Sequence, residues 1–314
     1  MASDKFPETL LEAIRYFSDE AVCRDFVASM RWPNGVVCPR CEATTIGFIS
    51  SRSLWRCKSC KYEFTVKKGT IFEDSPIPLS KWLPALWMYS AFKKGVSSHQ
   101  LARNLGVTQK TAWFMANRIR LAMEVGNFDF LLSGEVEVDE TFIGGKAKFQ
   151  HESKRQHIGT GPMGKVAVMG LLERHGEVRA KIVPSRKKGT LHAEVRASVA
   201  LGSTVYSDAL KSYDGLVAEY IHEVIDHAEG YVRDRVHTNG LKNFWSLFKR
   251  VIYGTHHTVE PFHLDRYLTE NVLRFNTRHD PDDVRFVQTA SRMIGRRVTY
   301  RELTGKVGPK GAVA

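Results

Sequence analysis

Two cysteine pairs in the first quarter of the chain constrain the fold more than any other feature. Cys38 and Cys41 form a CPRC motif, Cys57 and Cys60 form a CKSC motif, and fifteen residues lie between the two motifs. Each CxxC turn points two thiolates toward one position, so two such turns complete a tetrahedral zinc site. The pattern predicts a four-cysteine zinc ribbon, in which Zn²⁺ supplies folding free energy that so small a core lacks.

The alternatives account for less of the cysteine pattern. A redox role for one CxxC motif leaves the second motif unexplained, and four unrelated buried thiols rarely fall at this spacing. The fifth cysteine, Cys23, lies in a helical context and is expected to be a core thiol. Cysteine use therefore indicates metal binding rather than disulfide bonding.

The charge balance indicates a polyanionic partner. Among 314 residues, 46 Lys and Arg stand against 34 Asp and Glu, which gives a formal net charge of +12. Such an excess favours nucleic acid or an acidic membrane surface. No stretch approaches the roughly 20 apolar residues that span a bilayer, and the N-terminus lacks the regions of a secretion signal. We expect a cytoplasmic protein, nucleoid-associated when bound to DNA, with no membrane partner.

Residues 97–123 predict two helices joined at Gly106. Thr108 can cap the second helix, which carries Lys110, Arg118 and Arg120 as candidate DNA contacts. In a helix-turn-helix of this kind the second helix enters the major groove of DNA. Helical hairpins also occur as plain structure, but the neighbouring zinc ribbon and the positive charge favour the DNA-binding interpretation.

Two aspartates follow predicted strands in the second half of the chain. Asp139 ends the alternating run EVEVD, and Asp208 follows the run STVYS. An Asp at a strand end lies on the rim of a sheet, and two on adjacent strands can hold divalent metal ions. Mg²⁺ suits such a site because it shares its shell with water and phosphate. The alternative is that each Asp is only a turn or N-cap residue.

The order of these motifs resembles the zinc-ribbon DDE transposases of bacterial insertion sequences. After CPRC…CKSC come VEVDETFIGGK, VYSDALKSYDGL and HTNGLKNFWSLFKR, within a match over about residues 15–280. The resemblance implies a multi-domain α+β protein with a zinc ribbon, a helix-turn-helix and a ribonuclease-H-like catalytic domain built on a mixed five-stranded sheet. It also implies binding of element ends, metal-dependent DNA cleavage and strand transfer into target DNA, and a homo-oligomer on DNA.

The same resemblance carries the first two metal ligands over to Asp139 and Asp208, with two Mg²⁺ or Mn²⁺ ions as cofactors. Many relatives have Glu as the third ligand, in the position of Lys242, and a protonated lysine cannot ligate a metal. Some relatives use Asn, which favours Asn239 here, with Asn243 second, although an amide binds a hard cation more weakly than a carboxylate. Glu260 and Glu270 are outside candidates.

The remaining assignments near this helix follow the same resemblance. Lys249 matches the basic position of the family and, with the adjacent Arg250, is expected to contact phosphate. The alternative for the two amides is an N-cap role for Asn239 and a surface position for Asn243. Trp245 and Phe248 are expected to pack in the core.

The sequence thus predicts five regions and leaves two other functions open. The regions are a helical lead-in at 1–32, the zinc ribbon at 33–68, the DNA-binding helices at 69–126, the catalytic domain at 134–280, and a basic, partly disordered C-terminal extension at 281–314. The other functions are a non-catalytic DNA-binding regulator and a transposase copy inactivated at Lys242. The placement of both aspartates after strands argues against a pure regulator.

Overall fold

The computed structural model describes residues 5–124, 130–144, 164–225 and 236–305, which form two compact units. The first unit combines Met1–Glu124 with His279–Ala314, and the second comprises Val125–Arg278. Residues 145–163 within the predicted catalytic domain, and the part of the predicted C-terminal extension from residue 306 onward, lie outside the described residues. None of the helices in the described part of the chain has the length and apolar character needed to cross a bilayer.

The first unit is helical around a small sheet. Its strands β1 (Ile46–Ile49), β2 (Leu54–Cys57) and β3 (Glu63–Phe64) pair antiparallel in that order. Its helices before the second unit are α1 (Leu10–Tyr16), α2 (Glu20–Arg31), α3 (Leu79–Ala91), α4 (Ser98–Leu105) and α5 (Gln109–Met123).

The predicted helix-turn-helix corresponds to α4 and α5. Ser97 caps α4 by accepting from the Gln100 N–H, and Thr108 caps α5 by accepting from the Thr111 N–H. Between them Gly106 adopts a left-handed backbone at φ 60°, a conformation that glycine takes without the penalty a Cβ imposes. The two helices and their junction were therefore predictable from local chemistry alone.

Within the predicted C-terminal extension at 281–314, the described residues group with the first unit. Helices α9 (Asp282–Ser291) and α10 (Tyr300–Leu303) form there, and α9 belongs to the first unit. Phe286 is fully buried, with ring centroids 4.9 Å from Trp87 and 5.6 Å from Phe17. Phe286, Ala290 and Met293 recur at helical spacing and are all buried, so an amphipathic helix completes this core.

The second unit is built on a five-stranded mixed sheet, as predicted. Its strands are β4 (Glu135–Ile143), β5 (Val166–Glu173), β6 (Val178–Val183), β7 (Thr204–Asp208) and β8 (Ile221–Ile225), in the spatial order β6-β5-β4-β7-β8. The pairs β4–β7 and β7–β8 are parallel and the other two are antiparallel. The central strand β4 therefore pairs antiparallel with β5 on one side and parallel with β7 on the other.

Helices cover both faces of this sheet. Helix α6 (Lys188–Ser198) packs on one face with Leu191 and Val195, against Val136 and Val138 of β4. Helices α7 (Asn239–Val251) and α8 (Leu264–Asn276) pack on the other face. Each face therefore has its own apolar core, as a layered α/β arrangement requires.

Helix α7 lies unusually close to the sheet. Its apolar residues Leu241, Phe244, Trp245 and Phe248 are at most 4% exposed, which confirms the core role expected of the Trp and the last Phe. Beneath them is Gly170 of β5, where an added Cβ would lie 2.6 Å from Trp245 Cζ2 and 2.9 Å from Leu241 Cδ2. Only glycine allows this approach of helix and strand.

Gly170→Ala is therefore expected to destabilise the second unit by about 1–3 kcal/mol, the usual cost of overpacking a core. The measurement is the urea-unfolding midpoint of the full chain. Gly189→Ala is the matched control, because Gly189 lies in α6 with nothing within 4 Å of the added Cβ, and alanine favours a helix. Equal midpoints for the two variants would contradict the packing argument.

Candidate active site and zinc centre

The four predicted zinc ligands come together in the ribbon. The Sγ atoms of Cys38, Cys41, Cys57 and Cys60 all lie within 4.8 Å of one another, and two pairs, Cys38–Cys60 and Cys41–Cys57, are 3.6 Å apart. Tetrahedral Zn²⁺ with bonds of about 2.3 Å separates its sulfur ligands by roughly 3.8 Å. The donor type, number and spacing fit a structural zinc ion.

Asp139 and Asp208 lie on neighbouring parallel strands. The register of β4 on β7 pairs Glu135 with Thr204 and Glu137 with Tyr206, and the next step along this face of β4 and along β7 reaches the two aspartates. Asp208 is the last residue of β7, as predicted. Asp139 is not at a strand end, because β4 continues to Ile143; the longer pairing with β5 extends it.

The two aspartates are close enough to interact electrostatically. Burial, followed by the charge of Asp208, raises the pKa of Asp139 to about 6, against the opposing effects of a hydrogen bond from the Glu140 N–H and of the charges on Lys242 and Lys249. Carboxylates held together despite repulsion are the hard oxygen donors that a divalent cation binds. The pair therefore fits the metal ion that the sequence pattern predicts.

One face of α7 borders the Asp139 carboxylate. An open cavity of about 730 Å³ is lined by Asp139, Glu140 and Thr141 of β4 and, on the helix side, by Lys242, Trp245, Ser246, Lys249, Arg250, Tyr253 and Gly254. The helix-side residues repeat at the three- and four-residue spacing of one helical face. The cavity thus combines an acidic floor with a basic wall, as a site for a phosphodiester and its cation requires.

Glu140 lines this cavity but is held by another partner. The Tyr213 hydroxyl donates a hydrogen bond to its carboxylate. Burial, and then the charges of Asp208 and Asp139, raise the pKa of Glu140 to about 8. The sequence pattern did not single out this residue, because neighbouring residues in a strand point to opposite faces and only the fold brings Tyr213 to it.

The four third-ligand candidates do not join Asp139 in the cavity lining that the described residues form. Asn239 is exposed as the first residue of α7. Asn243 lines a different cavity of about 550 Å³, together with His237 and Leu247. Glu260 is exposed, and Glu270 is fully buried in an ion pair with Arg274. Lys242, at the position where the family resemblance implies Glu, is a residue of α7 that lines the cavity with Asp139.

Two of the predicted DNA contacts on α5 are interior residues. Arg118 and Arg120 are 3% and 2% exposed. Arg118 donates to the carbonyl oxygens of Ile71 and Glu73 at 2.9 and 2.6 Å, so both arginines are unavailable to DNA and this prediction is corrected. The error has a physical cause, because a long side chain can bury its charge when backbone carbonyls accept its protons. Lys110 is exposed and lies over the Tyr300 ring.

A buried ion pair that the sequence analysis missed holds the start of α7. Glu137 is 1% exposed and accepts from Arg174 Nε at 3.2 Å and from the Leu241 N–H at 3.0 Å. Arg174 in turn donates to the His237 carbonyl at 2.9 Å. At Gly240 an added Cβ would lie 2.9 Å from Glu137 Oε2. The alternation of EVEVD puts Glu137 on the same face as Asp139, which was the available signal.

Glu137→Gln is expected to destabilise the protein by about 3 kcal/mol, because removing one partner of a buried pair leaves Arg174 only its longer contact, 3.7 Å, with Glu135. Urea unfolding at neutral pH measures the effect. Glu194→Gln provides the control, since the Glu194–Lys181 pair is at the surface and such pairs contribute at most about 1 kcal/mol. A loss no larger than that of the control would show that Glu137 does not hold the helix.

The observed architecture defines the class of protein: a four-cysteine zinc ribbon and a ribonuclease-H-like domain with a mixed five-stranded sheet. Residues 131–276 match the family model of the ISXO2-like transposase domain, and residues 18–63 match that of the transposase zinc-ribbon domain. The chain is 30% identical over 279 residues to an uncharacterized protein in transposable element ISH50 of Halobacterium salinarum, across 83% of this chain and 92% of that protein. The chain belongs to the ISXO2-like transposase family.

Two further similarities are narrower. An uncharacterized transposase-like protein of Haemophilus influenzae is 34% identical over 101 residues, which cover 32% of this chain and 81% of that protein. A chain of the simian T-cell lymphotropic virus intasome, solved in complex with PP2A regulatory subunit B56 gamma, has a TM-score of 0.26 and 11% identity over 60% of this chain and 65% of that chain. Similarity at that level does not define a shared fold.

Proposed function

We propose that this chain is an active transposase, which binds the terminal repeats of its element and cleaves and joins DNA with a divalent metal at Asp139 and Asp208. The observation that carries the proposal is the placement of these two aspartates side by side on parallel strands, where Asp139 lines the cavity opposite the basic wall of α7. A DNA-binding regulator would have no use for a pair of carboxylates held together against their repulsion.

The residues of the site have separate roles in phosphodiester cleavage: the aspartates bind the metal and the basic residues bind phosphate. Mg²⁺ or Mn²⁺, when bound, supplies Lewis acidity and lowers the pKa of water. Asp139 and Asp208 would hold it through carboxylate oxygens. Lys249, which is half-buried, and Arg250, which is exposed, line the same cavity and would bind the phosphates that flank the cleaved bond. In joining, the liberated 3′ hydroxyl takes the place of water as the nucleophile, so one site serves both steps.

The first unit would select the DNA. The zinc ribbon and the α4–α5 pair are proposed to contact the element ends. Lys110 of α5 is exposed and is a candidate phosphate contact, of the kind that positions a protein on DNA. We propose boundaries of 33–68 for the ribbon, 69–126 for the DNA-binding helices and 134–280 for the catalytic domain. Residues 281–305 are proposed to complete the N-terminal unit. A homo-oligomer that pairs two element ends is also proposed.

The test is a cleavage and joining assay with the full-length, zinc-loaded protein. The substrate is labelled DNA carrying the inverted repeats that flank the gene, with Mg²⁺ or Mn²⁺, and a scrambled duplex is the control. The expected products are a cut at the repeat end and a joined strand in target DNA, both dependent on the metal. Specific binding of the repeats without cleavage in either metal would instead identify a regulator or an inactive copy.

A further inference from the structure

Lys242 is the residue of α7 at the position where the family resemblance implies the third metal ligand. It lines the cavity with Asp139, on the same face of α7 as Ser246 and Lys249. Lys242 and Lys249 are two turns apart, about 10 Å along the helix axis. The helix itself is anchored, because Glu137 accepts from the Leu241 N–H, one residue before Lys242. The fold therefore holds this ammonium group at the wall of the cavity.

The number of negative charges at the site indicates how many divalent cations it can bind. In a two-metal site, two divalent ions lie about 3.5–4 Å apart and stabilise the attacking and leaving oxygens, and carboxylates must balance both. Here Glu140 projects from the face of β4 opposite to that of Asp139, where the Tyr213 hydroxyl donates to it, so its carboxylate is directed away from a cation held between Asp139 and Asp208. Glu270 is buried with Arg274. Lys249 and Arg250 are assigned to the flanking phosphates, so the charges to balance are those of the two aspartates and the cleaved phosphodiester. One divalent cation and one ammonium balance these three negative charges, whereas two divalent cations would leave a positive excess.

We propose that the site binds a single divalent cation, between Asp139 and Asp208, and that the Lys242 ammonium takes the place of a second cation. This inference rests on the proposed function and specifies its machinery. The lysine that replaces the usual acidic residue is then a catalytic residue rather than a lesion. An ammonium is a compact point charge with three donors, suited to an oxyanion that changes position during the reaction.

The chemistry assigned to Lys242 is electrostatic. In the hydrolytic step the oxygen of water bonds to phosphorus, the bond between phosphorus and the 3′ oxygen breaks, and the electron pair stays on that oxygen. Water releases a proton to solvent and the 3′ oxygen takes one up, so protons balance. Lys242 donates hydrogen bonds to the phosphoryl and leaving oxygens while negative charge builds on them. Preorganised donors of this kind contribute about 10²–10³-fold to a rate.

Manganese stoichiometry tests the inference independently of activity. Mn²⁺ is titrated into zinc-loaded full-length protein and counted by calorimetry and by the EPR signal of free Mn²⁺. The Asp139→Asn/Asp208→Asn double variant gives the background to subtract. We expect one Mn²⁺ per chain for wild type and for Lys242→Met, and a second Mn²⁺ for Lys242→Glu, which restores the acidic residue. Two ions in wild type would overturn the inference and leave the proposed function standing.

Cleavage rates provide the second arm. Lys242→Met is expected to cleave about 10²–10³-fold more slowly, with Mn²⁺ affinity equal to or higher than that of wild type, and Lys242→Arg to recover part of the loss. Lys181→Met, a surface lysine paired with Glu194, is the matched control. A wild-type rate in Lys242→Met would refute the role of this lysine. If the double Asp variant binds Mn²⁺ like wild type, the proposed metal site itself is wrong.

Discussion

Asp139→Asn and Asp208→Asn are each expected to lower DNA strand cleavage by about 10³-fold or more, while binding to the element ends stays close to wild type. Each substitution keeps the size of the side chain and replaces a charged oxygen with an amide, so the cation loses a ligand. A bound metal contributes several kcal/mol of transition-state stabilisation, and about 4 kcal/mol corresponds to roughly 10³-fold in rate. Single-turnover cleavage and gel-shift binding measure the two properties separately.

Two asparagine variants are controls for the effect of the aspartate substitutions on the cleavage rate. Asn239→Ala and Asn243→Ala change exposed amides outside the Asp139 cavity, so neither should lower the rate more than about tenfold. If one Asn variant lost as much cleavage rate as the aspartate variants, that Asn would be identified as a metal ligand. Unchanged cleavage in Asp139→Asn would refute the metal site at this position.

The same aspartate variant should stabilise the metal-free protein. Burial, and then the Asp208 charge, raise the pKa of Asp139 to about 6 from its ordinary 3.8. The folded state therefore binds the proton more tightly than the unfolded chain, so stability falls as the pH rises from about 3.8 to about 6, and the full cost of ionising Asp139 applies above pH 6. Asp139→Asn removes a cost of up to about 3 kcal/mol at pH 7.5 and almost none near pH 4. Urea midpoints at both pH values, without added divalent ions, provide the comparison.

Loss of zinc is expected to have the second large effect. Cys57→Ser, or removal of zinc by a chelator, should unfold the ribbon, because zinc binding contributes on the order of 10 kcal/mol to the folding of such modules. The ribbon core is small: Trp55 packs its ring 5.5 Å from Trp32 and 6.3 Å from Phe64. Tryptophan fluorescence should shift to the red, and affinity for the element ends should fall by at least about tenfold.

The control for this experiment is the remaining cysteine. Cys23 is buried in α2, and its thiol donates to the Phe17 carbonyl at 3.2 Å, away from the four-sulfur cluster. Cys23→Ala should therefore keep its zinc, as measured by elemental analysis, and keep its end binding. If Cys57→Ser retained both the fluorescence of the folded ribbon and the bound zinc, the four-cysteine assignment would be wrong.

Several elements of the site were determined by the sequence because their cause is local. A CxxC turn directs two thiolates by its own geometry, so the zinc ligands needed only spacing to be found. Helix α7 was predictable from the spacing of Leu241, Phe244 and Phe248. Gly106 and Thr108 likewise marked the junction between α4 and α5 through turn and cap chemistry.

The tertiary structure decided how these parts are combined. The burial of Arg118 depends on carbonyl oxygens 45 and 47 residues away in the chain, and the helix at 282–291 belongs to a core otherwise formed by the first 124 residues. The separation of Asn243 from Asp139 likewise follows from how α7 rotates on the sheet, which Gly170 and Glu137 determine by contact.

The sequence by itself therefore determined which chemical groups this protein carries: four thiolates for zinc, two strand-borne aspartates and a lysine where the family resemblance implies an acid. Only the tertiary structure decided which of these groups meet. It placed Lys242 at the cavity of Asp139, Asn243 at a different cavity and Asn239 at the exposed start of α7. The physical reason is that turns, caps and periodicity arise from neighbouring residues, whereas strand pairing and helix rotation depend on packing between residues far apart in the chain.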